Sequence, residues 1–338
     1  MIAITLSLVL TLGVIEIFSS SKQTNRTQSA LGNLQENARF ALDLLSYDIR
    51  MAGNIGCNRT ATVTNIKANT NLDDIGNGIQ GYEYHDSIDT LPAKLLIDDS
   101  SSISKNPGDA NVVKGTDTIV IRYASPNTLD VASATANSVT LSVASTISTG
   151  DPLIISDCTS ADIFIANNDV GVDKTINLAT GQTFSKIYGS DAEVAPLKYA
   201  AYYIRKFRGD DHITRNNLYR SVVTKRDILD KDNIDPDPLL EGVEDMQILY
   251  GDDLNGDGSS IRYVSADYAP PVGSTEKPLD MSRVTSIRLS MLFSTIDNNL
   301  ATGTQNYWFN GELKSKESSD KKLYRGFTTT IKLRNKGL

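Results

Sequence analysis

The first 52 residues of the chain read as one continuous helix with two different surfaces. Residues 1–18 are apolar apart from a few small polar residues and Glu16. After the polar residues 19–22, hydrophobic residues recur at intervals of three and four as far as Ala52, the period of an amphipathic helix. No proline precedes Pro92, and Gly53 stands where such a helix would end. At 1.5 Å per residue, the pattern predicts a rod of about 75 Å.

This helix divides the chain into three predicted parts. Residues 1–21 form an apolar half for a membrane or a filament core, residues 22–52 form an amphipathic half, and residues 53–338 form a β-rich head. The side chains expected to pack against lipid or neighbouring helices are Ile4, Leu6, Leu8, Leu10, Leu12 and Ile15. Those expected to seat the amphipathic half on the head are Leu31, Leu34, Ala38, Leu42, Leu45 and Ile49.

After Gly53 the pattern changes to short strands separated by Gly, Asn, Asp and Ser. The predicted strands are 94–97, 117–123, 138–143, 152–156, 200–205, 218–223, 247–250, 284–293 and 328–333, with a short helix within 230–250. The aromatic run 307–309 is interpreted as core or as a loop anchor. The sequence therefore predicts an α+β fold in which a long N-terminal helix packs on a largely antiparallel sheet.

The net charge of −8 belongs to the head, because the acidic and basic residues of the helix balance. An acidic head argues against nucleic-acid binding, which requires a basic surface. Eleven acidic residues fall within 225–257, whereas the last 25 residues hold eight basic and two acidic residues. Two interpretations stay open: solvated faces, or complementary patches that guide contacts between subunits.

The chain has only two cysteines, Cys57 and Cys158. They are too few and too far apart for a zinc site. Together with an N-terminal membrane segment, the pair indicates a disulfide formed in an oxidising compartment. Such a link closes a loop of about 100 residues and should stabilise the head by about 3–5 kcal/mol in the chain-entropy model. The alternative is two buried free thiols.

A possible cation site begins at Asp253. Together with Asn255 and Asp257 it forms the D-x-N-x-D-G opening of a calcium loop, in which oxygen ligands at alternate positions converge on the ion. The twelfth position, where a bidentate glutamate is required, is Val264. A replacement ligand would have to come from Asp252, Asp267, Glu244 or Asp245. The alternative is a hairpin turn rich in Asn, Asp and Gly that needs no metal.

No catalytic residue is predicted. Residues 76–81 match the G-x-G-x-x-G pattern of dinucleotide sites, but neither a buried strand before it nor a helix after it is indicated, so we expect a flexible loop. The histidines, His85 and His212, lie in polar segments, and no G-x-S-x-G motif accompanies them.

Five N-terminal blocks, residues 1–3, 13–15, 20–24, 34–42 and 48–53, are similar to one known family. Shorter similar blocks follow at 56–57, 155–162, 241–247 and 328–335, so that the similarity extends over most of the chain. On these residues the chain resembles the type IV minor pilins of the PilW family, which implies a pilin-like fold.

The resemblance implies a subunit held in the bacterial inner membrane by one span, with its head in the periplasm, that is later extracted into the pilus. Its expected partners are other minor pilins and the major pilin through packing of the N-terminal helices, and a large tip adhesin. Its expected role is assembly of pili for twitching motility, without catalysis. One alternative is a minor pseudopilin of a type II secretion system. Another, from a different class, is a membrane-anchored periplasmic hydrolase, against which the lack of a nucleophile motif counts.

The sequence departs from the family at its start. Pilins of this kind carry a Gly-Phe peptidase junction and a glutamate just before the segment that begins here with Met1, and neither is present. Glu16 does not correspond to that glutamate. We expect the chain to be truncated at its N-terminus and the native reading frame to begin upstream of Met1.

Overall fold

The computed structural model describes residues 2–56, 62–65, 78–84, 113–208, 212–222, 238–301, 303–317 and 321–335. One long N-terminal helix packs on a head of mostly antiparallel β-sheet, which confirms the predicted α+β class.

The helix, α1, runs without a break from Ile2 to Met51. It ends where the sequence predicted, because Gly53 adopts a left-handed conformation (φ 69°) that favours glycine. The Gly53 N–H donates to the carbonyl of Arg122 at 2.9 Å. The amide of Asn335 donates to the carbonyls of Met51 and Ala52, so the last turn of the helix is capped by the C-terminal end of the chain.

The described residues form seventeen strands. They are β1 (Thr62–Asn65), β2 (Ile79–Tyr82), β3 (Thr118–Ala124), β4 (Leu129–Ala134), β5 (Ser138–Leu141), β6 (Pro152–Ser156), β7 (Ser160–Ile165), β8 (Thr175–Asn177), β9 (Glu193–Arg208), β10 (Thr214–Val222), β11 (Pro238–Glu241), β12 (Val243–Asp252), β13 (Arg262–Val264), β14 (Val284–Ser294), β15 (Thr304–Phe309), β16 (Glu312–Glu317) and β17 (Tyr324–Lys332).

Among these residues the strands form three sheets. The largest has eleven strands and is organised around β9, which pairs with β6 and β4 near its start and with β3 and β10 further on. The second has the order β13-β12-β14-β17, and the third is the β15–β16 hairpin. Within the described residues every pairing is antiparallel except that of β1 with β7.

The head contains two main hydrophobic cores. One lies between α1 and strands of the two larger sheets, and includes Leu45 and Ile49 of the helix with Tyr202 of β9 and Ile287 of β14. The other is built by the segment from β4 to the start of β9, around Phe164, and contains no residue of α1. The helix therefore holds the two larger sheets together, whereas the second core is independent of it.

Several strand predictions differ from the structure. The strand predicted at 200–205 is the middle of the 16-residue β9. The sequence pattern does not indicate the first half of β9, because that half contains Pro196. At Pro196 the strand that pairs with β9 changes from β6 to β3. The helix expected within 230–250 is absent from the described residues 238–250, which form β11 and most of β12. The predicted strand 94–97 lies outside the described residues.

The flexible loop predicted at 76–81 is wrong for its second half. Residues 79–81 belong to β2, which pairs with β3, and Ile79 is fully buried. Gly81 is present because of close packing: a Cβ there would lie 2.1 Å from the Tyr250 hydroxyl oxygen. The residues 307–309 form most of β15, in which Phe309 is buried while Trp308 is exposed.

Candidate functional site

The first half of α1 is an apolar rod whose side chains are exposed and are not covered by the other described residues. The predicted packing residues Ile4, Leu6, Leu8, Leu10, Leu12 and Ile15 are all exposed, from 58% at Leu12 to 68% at Ile4. Because the apolar residues of this half lie on all sides of the helix, the head could not cover them by packing against one face. Among the described residues this is the one helix long and apolar enough to cross a membrane. An N-terminal apolar helix of this kind fits a membrane anchor.

Three hydroxyl groups in this half donate to carbonyls of the helix itself. Thr5 donates to the carbonyl of Ile2, Ser7 to that of Ile4, and Thr11 to that of Ser7, at 2.8–3.1 Å. Hydroxyls bonded in this way need no outside partner when the helix enters lipid or a bundle of other helices. These three hydroxyl positions are therefore compatible with an apolar environment.

The second half of α1 packs on the head by a stripe with helical spacing. Its buried residues are Ala30, Leu34, Ala38, Ala41, Leu45, Asp48 and Ile49. Of the predicted seating residues, Leu34, Ala38, Leu45 and Ile49 are buried, and Leu31 and Leu42 are partly buried. The stripe contacts the four-stranded sheet and β3.

A buried carboxylate fixes this half of the helix to the larger sheet. Asp48 is 1% exposed, and it accepts hydrogen bonds from Tyr123 of β3 (2.8 Å), Tyr202 of β9 (2.6 Å) and Arg220 of β10 (2.8 Å). Burial, and then the Asp48 carboxylate, raises the pKa of both tyrosines above the usual range, which keeps their protons in these bonds. Three adjacent strands thus bind one helix position. The sequence gives no sign of this role, because an acidic residue in an amphipathic helix is expected on its polar face.

A second buried acid joins the two sheets. Asp117 precedes β3 and accepts a hydrogen bond from the Ile248 N–H of β12 at 2.7 Å. Burial, and then the charge of Glu83, raises the pKa of Asp117 to about 9. The raised pKa favours the protonated form of the Asp117 carboxyl, which shares a hydrogen bond with Glu83. Glu83 in turn accepts from the Ala266 N–H that follows β13.

The predicted calcium residues lie in the turn between β12 and β13. Asp253 accepts from the N–H groups of Gly256 and Gly258, and Asp257 accepts from the amide of Asn255 and from the Ser259 N–H. These hydrogen bonds are the ones expected of the alternative interpretation, a hairpin turn that is closed by its own side chains and needs no metal.

The acids considered as replacement ligands have other partners. Asp252 is fully buried and binds Arg262 at 2.8 Å and Arg283 at 3.0 Å, and Glu244 accepts from Asn216 and Ser294. In the part of the chain that the structure describes, no group of three or more His, Cys, Asp or Glu is arranged to hold a metal. Calcium binding stays a prediction.

One of the two predicted disulfide residues lies among the described residues. Cys158 lies in the turn between β6 and β7, and Cys57 lies outside the described residues. Described residues close to Cys57 in the chain lie near residues close to Cys158, both before and after the two cysteines. A Cβ at Gly56 would lie 2.0 Å from Ser156 Oγ, and Thr62 of β1 pairs with Ser160 of β7. The pairing stays a prediction.

The remaining candidates do not form a chemical site. His212 is exposed in the turn between β9 and β10, with φ 60°, and His85 lies outside the described residues. The acidic segment 225–257 is described only from residue 238 onward. The C-terminal basic segment includes β17, at the edge of the four-stranded sheet.

Comparison with protein families identifies one similarity. Residues 201–335 match the family model of PilW, type IV pilus-assembly protein W. The match covers the second half of β9 and β10 to β17, and confirms the PilW resemblance predicted from the sequence. No curated protein matches the chain at a significant level. The family match supports involvement in type IV pilus assembly, a structural role, and interaction with other pilus components.

Proposed function

We propose that the chain is a minor pilin, a structural subunit of the type IV pilus that takes part in the initiation of assembly or in the tip complex. The observation that carries this proposal is the apolar half of α1, which is exposed on all sides and continuous with a half seated on the head. Such a rod can exchange lipid for the apolar helices of neighbouring subunits without unfolding. The PilW match in the head supports the same assignment.

The proposal names the partners and the location of the subunit. Before assembly the apolar half spans the inner membrane, with the head in the periplasm. In the pilus it packs among the N-terminal helices of other minor pilins and of the major pilin, beneath a tip adhesin. No residue of this chain acts catalytically in this role.

The test uses the full reading frame in the native host. Deleting the gene should reduce surface pili and twitching, and a Leu10→Asp variant should fail to restore them. Asp near the centre of a spanning helix costs about 2.5–3.5 kcal/mol of insertion free energy. The control is Leu313→Asp, since Leu313 is comparably exposed (58%) but lies on the β15–β16 hairpin of the head.

The outcomes separate the candidate machines. Loss of protein secretion with normal piliation would assign the chain to a type II secretion system as a minor pseudopilin. If piliation, motility and secretion all survive the deletion, the assembly role is wrong. If the chain were instead a membrane-anchored hydrolase, the Leu10→Asp variant would keep its function when a different membrane span was added to anchor it.

We also propose the Cys57–Cys158 disulfide, supported by the contacts of Gly56 with Ser156 and of β1 with β7. It would join the segment after α1 to the strands of the second core. Peptide mapping without reductant, on protein made in the periplasm, should recover the linked pair. Two thiols that can be alkylated under those conditions would contradict it.

Calcium at Asp253, Asn255 and Asp257 is proposed as weak binding that orders this turn further. The expected result is a rise in melting temperature at millimolar calcium, absent in Asp257→Asn. If calcium leaves the unmodified protein unchanged, the metal-free hairpin turn is the correct interpretation.

A further inference from the structure

The four-stranded sheet ends in β17, whose outer edge is open over part of its length. β17 pairs with β14 on one side, and in the described residues no strand pairs with its other side. At the start of the strand this outer side is closed, because the Tyr324 N–H donates to the side chain of Gln305. Beyond its end, the Arg334 N–H donates to the carbonyl of Arg50 in α1. The open part lies between these two contacts.

The direction of the backbone groups in the open part follows from strand alternation. The Leu333 N–H donates to the Thr285 carbonyl, toward β14, whereas that of Arg334 points the opposite way. Since successive residues of a strand point their N–H groups to opposite sides, Thr328, Thr330 and Lys332 present theirs to the outer edge. All three residues are exposed, and their backbone N–H groups have no partner among the described residues.

This edge borders a groove of about 1330 Å³ between β17 and the outer flank of α1. We call it the edge groove. Four basic residues line it: Arg39 and Arg50 of the helix, and Lys332 and Arg334 at the end of β17. Asp43 is the acidic residue among those that line it. Phe327 and Leu42, both partly buried, supply apolar surface at its base. The edge groove is therefore basic, long enough for about five extended residues, and provided with backbone donors and acceptors.

We propose that the edge groove binds an extended, acidic segment of a partner protein, which adds to the sheet as a strand beside β17. Backbone hydrogen bonds to Thr328, Thr330 and Lys332 hold such a segment, and its carboxylates face the surrounding arginines and lysine. A second copy of this strand is disfavoured, because it would bring the same cations together. The proposal goes beyond helix packing and does not depend on it.

The test uses the full chain in detergent micelles and two variants at one position. Proline at residue 330 removes the outward N–H, which an edge strand tolerates because that group makes no ladder bond. Thr330→Val keeps the N–H and the strand propensity, and is the matched control. Both variants should melt within a few degrees of the unmodified protein. Unfolding of Thr330→Pro alone would contradict the assigned edge and overturn the proposal.

The probe is a synthetic ten-residue peptide of alternating valine and glutamate, with a valine–lysine peptide as its charge-reversed counterpart. We expect the acidic peptide to bind, more weakly as salt is added, and to slow amide exchange at Thr328, Thr330 and Lys332 in nuclear magnetic resonance spectra. Thr330→Pro should weaken binding at least tenfold, whereas Thr330→Val should not. Equal binding of both peptides, no binding at millimolar concentration, or binding unchanged in Thr330→Pro overturns the proposal.

A second experiment identifies the natural occupant. A photoreactive amino acid in place of Thr330 in the native host should cross-link to a segment rich in Asp and Glu in another protein. Adducts only with a second copy of this chain, with lipid, or with a basic segment would overturn the proposal. Because the peptide measurements need no pilus, failure here is distinguishable from failure of the proposed assembly role.

Discussion

The two halves of α1 belong to one continuous helix, yet they are stabilised in different ways. In the second half a stripe from Ala30 to Ile49 is buried on the sheets. In the first half every large apolar side chain is exposed, including Ile2 at 78% and Phe18 at 72%. The second half is thus part of the fold of the head, whereas the first half has its surface available for partners outside the chain. Function can therefore be tested by changing one half and leaving the other intact.

The largest expected effect is in the seated half. Leu45 is fully buried in the core between α1 and the sheets. Leu45→Asp leaves an unpaired carboxylate in that core, and should lower the free energy of unfolding by about 4 kcal/mol or more. Thermal unfolding of the full chain in detergent measures it. In the same assay Leu10→Asp, in the apolar half, should change stability by less than about 0.5 kcal/mol. Similar losses in both variants would end the distinction between the halves.

The next effect tests the polar anchor of the seated half. Asp48→Ala leaves Tyr123, Tyr202 and Arg220 without their shared acceptor, and should cost about 3 kcal/mol. The control is Asp43→Ala, because the Asp43 side chain is 76% exposed and pairs with Arg39, a contact worth about 0.5 kcal/mol or less. Urea unfolding compares the two variants. An equal loss in both would show that Asp48 has no special role.

Much of this division could be predicted from the sequence, because it depends on local periodicity. The ends of α1, its apolar half and most of its seating residues follow from spacing and from Gly53. Asp48 could not be recognised, since its partners lie 75 to 172 residues away in the chain. Similarly, β9 was predicted too short because Pro196 weakens the local strand signal, although neighbouring strands complete its pairing. Long-range pairing decides such positions, and it has no local pattern.

A pH-dependent effect, which is smaller when it is compared over one pH unit, concerns the sheets beneath the helix. In the folded state the pKa of Asp117 is raised to about 9, whereas in the unfolded chain it is near the usual value of about 4. The folded state therefore holds one more proton between these values. This contribution is fully present at low pH and is lost as the pH rises toward 9, by at most about 1.4 kcal/mol per pH unit. Asp117→Asn should flatten the stability profile over this range. If Asp117→Asn leaves the slope of the unfolding free energy against pH unchanged, Asp117 is not the group that binds the extra proton.

The smallest effect concerns the junction between the halves. Gln23 and Arg26 donate to the carbonyls of Asn299 and Asn298 in the loop after β14, at 3.0 and 3.4 Å, but all of these groups are exposed. Arg26→Ala should therefore cost only about 0.5 kcal/mol in global unfolding, because water replaces an exposed hydrogen bond readily. It should nevertheless speed local amide exchange in residues 20–30 about twofold, as this turn opens without the head unfolding. Lys22→Ala, which removes a nearby exposed charge on the same helix, is the control. A global loss as large as that of Asp48→Ala would show that the part of the helix seated on the head begins at residue 26 or earlier rather than at Ala30.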